Sequence, residues 1–180
     1  MQEGLLTEIL VTEEEIQEIC ERLGKQITQD YADKDLLVVG VLKGCVPFLT
    51  DLTRKIDLPC QIDFMAVSSY GGGIKSSGQV SFKKDLEINP QGRDILIVED
   101  ILDSGLTLSY LRDILYTRGA KSIKICTFLD KPANRKIDIT PDYCGTTVPD
   151  EFVVGYGLDY DEKYRNLSCV GVLSPAIYSK

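Results

Sequence analysis

Residues Ile95 to Thr107 read ILIVEDILDSGLT. Asp94 to Val98 (DILIV) reads as a strand, and its Ile95 to Val98 form an uninterrupted apolar run, the pattern of burial on both faces. The run ends in two adjacent carboxylates, Glu99 and Asp100, and Asp103-Ser104-Gly105-Leu106-Thr107 then turns into a helix predicted from about Leu106 to Arg118, stopped by Gly119. Ligands of open α/β sheets bind at the carboxyl ends of strands. A helix start offers unpaired amide hydrogens and the positive end of a dipole, which suits a phosphate. Gly105 permits close backbone approach, and Ser104 and Thr107 add hydroxyl groups. Asp103 reads equally well as an ordinary helix-start aspartate. An acidic pair beside a phosphate cradle suits ribose hydroxyls, or a magnesium ion linking them to phosphate. The Gly-x-x-x-x-Gly-Lys-Ser/Thr loop does not occur, which excludes an ordinary nucleoside-triphosphate hydrolase.

Outward from this stretch, strands and helices alternate. Thr12 and Glu15 make a capping box for a helix with Ile16, Ile19, Cys20, Leu23 and Ile27 on one stripe. Leu36 to Val41 (LLVVGV) is a second buried strand, and a helix starts near Pro47 with Leu49, Leu52 and Ile56 inward. Cys60, Ile62, Phe64 and Ala66 alternate as a strand, and Val80 to Lys84 returns as a short one. Between them Ser68 to Gln79, rich in glycine and serine, reads as a mobile hairpin loop. Ile123 to Leu129, Phe152 to Val154 and Val170 to Leu173 are further strands. The alternation predicts an α/β domain around a largely parallel sheet flanked by helices, and 180 residues fit one domain over 1–180.

Twenty basic against twenty-eight acidic residues leave a net charge of −8. That argues against a general nucleic-acid or anionic-membrane binder but leaves room for one small polyanion in a local basic pocket. The chain has no histidine, so no Ser-His-Asp or Cys-His triad, His-ligated zinc or imidazole base exists. Acid–base chemistry must rest on carboxylates, lysine, tyrosine or water. The six cysteines form no CxxC, Met1 to Val11 is interrupted by Glu3 and Glu8, and no run has the roughly 18 apolar residues of a membrane span. These features predict a cytoplasmic protein with reduced thiols.

The thirteen residues from Ile95 to Thr107 closely resemble, without a gap, the phosphoribosyl-pyrophosphate signature of the type I phosphoribosyltransferases. Val39 to Pro47 (VGVLKGCVP), Phe64 to Gly71 (FMAVSSYG), Leu129-Asp130-Lys131-Pro132 and Val148 to Leu167 (VPDEFVVGYGLDYDEKYRNL) are similar to the 6-oxopurine branch, the hypoxanthine-guanine phosphoribosyltransferases. The resemblance spans essentially the whole chain. Thr146-Thr147 depart from it, standing where many relatives carry an aromatic and an acidic residue.

The resemblance implies the type I fold, with a small hood and a mobile loop. It implies joining of hypoxanthine or guanine to phosphoribosyl pyrophosphate, giving IMP or GMP and pyrophosphate with Mg2+, in purine salvage by a homodimer or homotetramer. It also implies roles. Asp103 to Thr107 (Asp103, Ser104, Gly105, Leu106, Thr107) would hold the 5′-phosphate. Glu99 and Asp100 would hold ribose hydroxyls and magnesium, and Asp103 would be the general base at the purine imidazole nitrogen. Leu42, Lys43 and Gly44 would form the pyrophosphate loop, in which the bond before the lysine is often cis, and Arg165 would add a second pyrophosphate contact. Lys131 would donate to the 6-oxo group, Phe152 would stack on the purine, and the Val153 backbone would read the base edge. Asp159, grouped with the purine contacts, would bind a second magnesium near the pyrophosphate. Ser69 and Tyr70 would begin a closing loop. Taken alone, Lys43 reads as a solvated lysine, Arg165 as a surface arginine, and Phe152 and Val153 as core strand residues. Their order along the chain favours the site.

Three rivals stand beside this reading: a xanthine-preferring enzyme of the same fold, a regulator that keeps the phosphoribosyl-pyrophosphate site but binds RNA or DNA, and a purely structural α/β subunit. Of these, the second should show a basic face or an added DNA-binding segment. The third would leave the clustered Glu-Asp, Lys-Gly and Gly-rich loop unexplained.

Overall fold

A computed structural model describes residues 4–68 and 81–179. The strands are β1 (Leu6–Val11), β2 (Leu36–Val41), β3 (Gln61–Ser68), β4 (Ser81–Lys84), β5 (Asp94–Leu102), β6 (Ser122–Asp130), β7 (Tyr143–Thr147), β8 (Val153–Val154) and β9 (Val170–Leu173). The helices are α1 (Glu13–Asp30), α2 (Val46–Thr53), α3 (Leu106–Thr117) and the short α4 (Pro175–Tyr178), with a 3-10 turn at Pro132–Asn134.

All six residues of β2 are buried, and the strand pairs in parallel with β3 on one side and β5 on the other. Its side chains alternate between two cores. Leu36 and Val38 pack with Ile16, Cys20, Leu23 and Ile27 of α1 and Phe48, Leu49 and Leu52 of α2. Leu37, Val39 and Val41 pack with Leu108, Leu111 and Leu115 of α3. A strand covered by helices on both faces has no place for a polar residue, which is why LLVVGV is apolar throughout. At the start of α1, Glu15 N–H donates to Thr12 Oγ1 at 3.2 Å and Thr12 N–H to Glu15 Oε2 at 2.8 Å, the reciprocal cap the sequence predicts.

The main sheet has the order β4-β3-β2-β5-β6-β7. Among the described strands of this sheet only the edge strand β4 is antiparallel to its neighbour. Gly40 pairs with Val98, Leu102 with Asp130, and Asp130 with Thr147. This register brings the carboxyl ends of β2, β5 and β6 to one edge, where Leu42, Asp103 and Lys131 follow. β5 extends past its apolar run, because β6 pairs with it as far as Asp130. Glu99 and Asp100 therefore lie within the strand and not beyond it.

A second, antiparallel sheet, β1-β9-β8, forms the hood over a core of Leu5, Val154 and Leu173. β8 begins at Val153, so Phe152 precedes the strand. Asp63, 5% exposed, accepts from the N–H groups of Phe64, Glu87 and Ile88 and pins the stretch after β4 to β3. Burial pushes its carboxyl up, but the three amides and Lys84 outweigh that and hold it below its ordinary value. The expected closing loop, including Ser69 and Tyr70, lies outside the described residues. No helix among the described residues is long and apolar enough to cross a membrane, and all six cysteines are free thiols.

Candidate active site

Three loops meet at the carboxyl edge of the main sheet. A Cβ built on Gly44 would come 1.7 Å from Asp100 Oδ2, and one built on Gly157 would come 2.0 Å from the Gly44 carbonyl oxygen. The loop after β2 is thus in direct contact with the acidic end of β5 and with the Gly155–Arg165 loop. The peptide bond between Leu42 and Lys43 is cis.

At the end of β5, Gly105 caps α3 with φ 82°, in the left-handed region open to glycine, and a Cβ there would come 2.5 Å from Ile139 Cγ2. Among the described residues no side chain caps the helix at its N-cap, although Leu106 N–H reaches Ser104 Oγ at 3.4 Å. Asp103 is exposed, two residues before the cap. Asp103 is therefore not the cap residue, and the unpaired amides that open α3 begin two residues after it.

Glu99 and Asp100 are part-buried, and Glu99 Oε2 is shut off from solvent with no hydrogen-bond partner among the described residues. Burial, then the neighbouring Asp100 charge, raises the Glu99 carboxyl well above its ordinary value. Burial raises Asp100 to about 6, against a bond from Ile101 N–H and the charge of Arg165. Two crowded carboxylates with an orphaned oxygen are the environment a divalent cation relieves. Among the described residues no three metal-ligating side chains converge, so a cation there would need oxygens from substrate or water.

Asp159 acts on Asp100 through charge, but both its oxygens are engaged within its own loop. Oδ1 pairs with Arg165 Nη2 at 2.8 Å and Oδ2 accepts from Glu162 N–H at 2.9 Å. Lys43 Nζ and Arg165 Nη2 share one acceptor, Glu162 Oε2, at 2.9 and 3.3 Å. Lys43 first, then Arg165, holds the Glu162 carboxyl below its ordinary value. The two cations expected on pyrophosphate are thus gathered around a single carboxylate oxygen.

Lys131 is 9% exposed. Its ammonium donates to the Glu151 carbonyl at 2.8 Å and pairs with Asp150 Oδ1 at 3.0 Å. Three donors less two leaves one for a ligand. Phe152 is 41% exposed, its ring 5.3 Å from that of Tyr178 and 5.7 Å from that of Tyr160, while Val153 is buried.

Residues 7–161 match the phosphoribosyl transferase domain. The chain is 56% identical over 173 residues to the hypoxanthine-guanine phosphoribosyltransferase of Bacillus subtilis, covering 96% of each. The chain belongs to the hypoxanthine-guanine phosphoribosyltransferases. The crystal structure of a hypoxanthine phosphoribosyltransferase from Staphylococcus aureus matches it with TM-score 0.93 and 52% identity, over 97% of this chain and 95% of that one. The bifunctional protein TilS/HprT of Listeria monocytogenes serotype 4b is 54% identical over 175 residues, and there the chain spans 27% of the relative's length.

Within a hypoxanthine-guanine phosphoribosyltransferase, sequence reading passes over Asp150, Glu162, Tyr178 and Arg135. Asp150 and Glu162 do lie inside the VPDEFVVGYGLDYDEKYRNL motif. Their signal would have been a carboxylate adjoining each expected cationic contact. Tyr178 and Arg135 carry no such signal, because the fold alone brings them to Phe152 and to the β5 exit.

Proposed function

We propose that the chain transfers the 5-phosphoribosyl group of phosphoribosyl pyrophosphate to hypoxanthine or guanine, giving IMP or GMP and pyrophosphate in purine salvage. The observation that carries this reading is the meeting, on one sheet edge, of a helix-start phosphate cradle, a crowded carboxylate pair and a buried donor-only lysine. The amides and hydroxyls from Asp103 to Thr107 hold the 5′-phosphate. Glu99 and Asp100 would hold the ribose hydroxyls and one magnesium ion, and Asp159, once Arg165 turns to pyrophosphate, would be a ligand of a second. Bound magnesium supplies neutralisation of charge on the pyrophosphate oxygens.

A purine nitrogen bonds to the anomeric carbon as that carbon's bond to pyrophosphate breaks, and Asp103 takes the proton from the opposite imidazole nitrogen. Lys43 and Arg165 meet the charge developing on the leaving group. Lys131 presents its remaining donor to the 6-oxo group, Phe152 packs on the purine face, and the Val153 backbone lies along the base edge. The reading places the enzyme in the cytoplasm as a homodimer or homotetramer, in keeping with its free thiols. Neither a xanthine preference nor nucleic-acid binding is favoured.

Steady-state assays with each purine, phosphoribosyl pyrophosphate and magnesium test the reaction. Hypoxanthine and guanine should be used and adenine rejected, since a site that hydrogen-bonds an oxo group discriminates against its lack. Asp103→Asn should lower turnover by about 10²-fold or more. Adenine used as well as hypoxanthine would overturn the base assignment, and near wild-type turnover of the variant would remove Asp103 from the mechanism.

A further inference from the structure

Arg135 belongs to none of the motifs above, yet its guanidinium makes four contacts. The side chain is 14% exposed and follows the turn at Pro132–Asn134. Nε donates to the Asp103 carbonyl at 2.9 Å and Nη2 to the Leu102 carbonyl at 3.2 Å. Nη2 also pairs with Asp130 Oδ1, and Nη1 donates to the Ile139 carbonyl. Beside it, Lys136 N–H donates to the Ser104 carbonyl at 3.0 Å.

These acceptors are not scattered. Leu102 and Asp103 are the exit of β5 and lead into the phosphate cradle. Asp130 ends β6 and immediately precedes Lys131. Ile139 belongs to the wall that Gly105 packs against. One rigid plane therefore holds the backbone of Asp103 at a set place relative to the residue before Lys131. A surface brace would need only the carboxylate of Asp130. Here three acceptors are backbone carbonyls, those of Leu102, Asp103 and Ile139, and the Leu102 carbonyl also accepts from Lys131 N–H at 3.0 Å, so the fork meets the two ends of the site at one point. Only the planar fork of arginine reaches them together, since the single ammonium of a lysine cannot span them.

We propose that Arg135 is a positioning residue that couples the purine end of the site to the sugar end, setting Asp103 against a purine held by Lys131. The proposal rests on the roles given above to Asp103 and Lys131. The reaction joins two substrates held by different loops, so the separation of those loops enters the rate directly. A misplacement of about 1 Å costs on the order of 10²-fold. The expected signature is lost turnover with little change in the binding of either substrate alone.

The test uses Arg135→Ala and Arg135→Lys, each checked for folding by thermal melting, with Asp103→Asn alone and combined with Arg135→Ala. Arg135→Ala should lower kcat by about 30-fold or more while KM for phosphoribosyl pyrophosphate moves less than about threefold. Arg135→Lys should melt near the wild-type temperature and remain impaired. Added methylguanidinium should restore part of the turnover of Arg135→Ala, and methylammonium should not. In the Asp103→Asn background, Arg135→Ala should add less than about threefold, because residues acting as one unit are not additive. Full turnover in Arg135→Lys, or no response to methylguanidinium in a folded Arg135→Ala, would overturn the proposal. So would an impaired Asp103→Asn on which Arg135→Ala imposes its whole loss again. Should Asp103→Asn itself turn over normally, the role of Asp103 fails first and the coupling falls with it.

Discussion

Gly44 lies against Asp100 so closely that a Cβ on the glycine would come 1.7 Å from the carboxylate oxygen Oδ2. The obstruction is the end of a side chain and not backbone, so the chain has an escape: the Asp100 carboxylate rotates away. Gly44→Ala should therefore fold, with a melting temperature within about 5 °C of wild type. Its kcat/KM for phosphoribosyl pyrophosphate should fall by about 10²-fold, as Asp100 leaves its place. Gly157→Ala is the contrast. It has φ 102°, and its Cβ would meet the Gly44 carbonyl at 2.0 Å, so it should lose stability along with activity. A Gly44→Ala enzyme with normal activity would show that the contact is incidental.

The acidic pair makes the ligand-free protein sensitive to rising pH. Glu99 is held well above its ordinary value, by burial and then by Asp100, so the native state keeps a proton that the unfolded chain has released. Asp100, raised to about 6 mainly by burial, does the same. A raised carboxyl costs nothing below its unfolded value of 4.5 for Glu99 or 3.8 for Asp100. Its cost grows as pH climbs towards the folded value. Glu99→Gln should accordingly raise the melting temperature by about 3 °C or more at pH 8, with a smaller gain at pH 5. Phosphoribosyl transfer should fall in the same variant. A gain independent of pH would mean that ionisation of Glu99 is not the source.

Asp150→Asn probes the aim of Lys131. With the carboxylate charge removed, the ammonium is held chiefly by the Glu151 carbonyl. Asp150 is 56% exposed, which limits the effect to about 1 kcal/mol. KM for hypoxanthine should rise about fivefold, while that for phosphoribosyl pyrophosphate stays within about twofold. Equal rises in both would indicate a general loosening of the loop.

Glu162 contacts Lys43 and Arg165 together, and Glu162→Gln should release Lys43 and loosen Arg165, which keeps its pair with Asp159. Because Lys43 and Glu162 are 66% and 65% exposed, the pair is worth at most about 1 kcal/mol. KM for phosphoribosyl pyrophosphate should drop about threefold, with hypoxanthine unaffected. A rise instead would show that Glu162 holds the cations in place and does not compete for them.

Strands β2 and β5 are legible in the sequence because burial on both faces demands an unbroken apolar run. The Thr12–Glu15 cap is legible because its partners are three residues apart. β1 and β7 are not. LTEILV and YCGTT show no decisive period, and Leu6 of β1 finds its partner at Leu173, near the other end of the chain. The end of β5 lies beyond its apolar run for a related reason. Glu99 and Asp100 look like a loop by polarity, but pairing with β6 keeps them in the strand.

By itself the sequence determined the phosphoribosyl-pyrophosphate motif, the absence of any histidine chemistry, and the residues Glu99, Asp100, Asp103, Lys43, Lys131 and Arg165 as the ones to watch. Glu99, Asp100 and Asp103 follow from side-chain chemistry and local spacing, which are written along the chain, whereas the motif's assignment and the choice of Lys43, Lys131 and Arg165 rest on the resemblance to the hypoxanthine-guanine phosphoribosyltransferases. Only the tertiary structure decided that Asp103 is not the helix cap, that Lys43 and Arg165 meet at Glu162, that Asp150 holds Lys131, and that Arg135 ties Asp103 to Asp130. Each of those depends on where parallel strands end relative to one another. The sheet register sets that, through hydrogen bonds between backbone groups that every residue but proline carries alike.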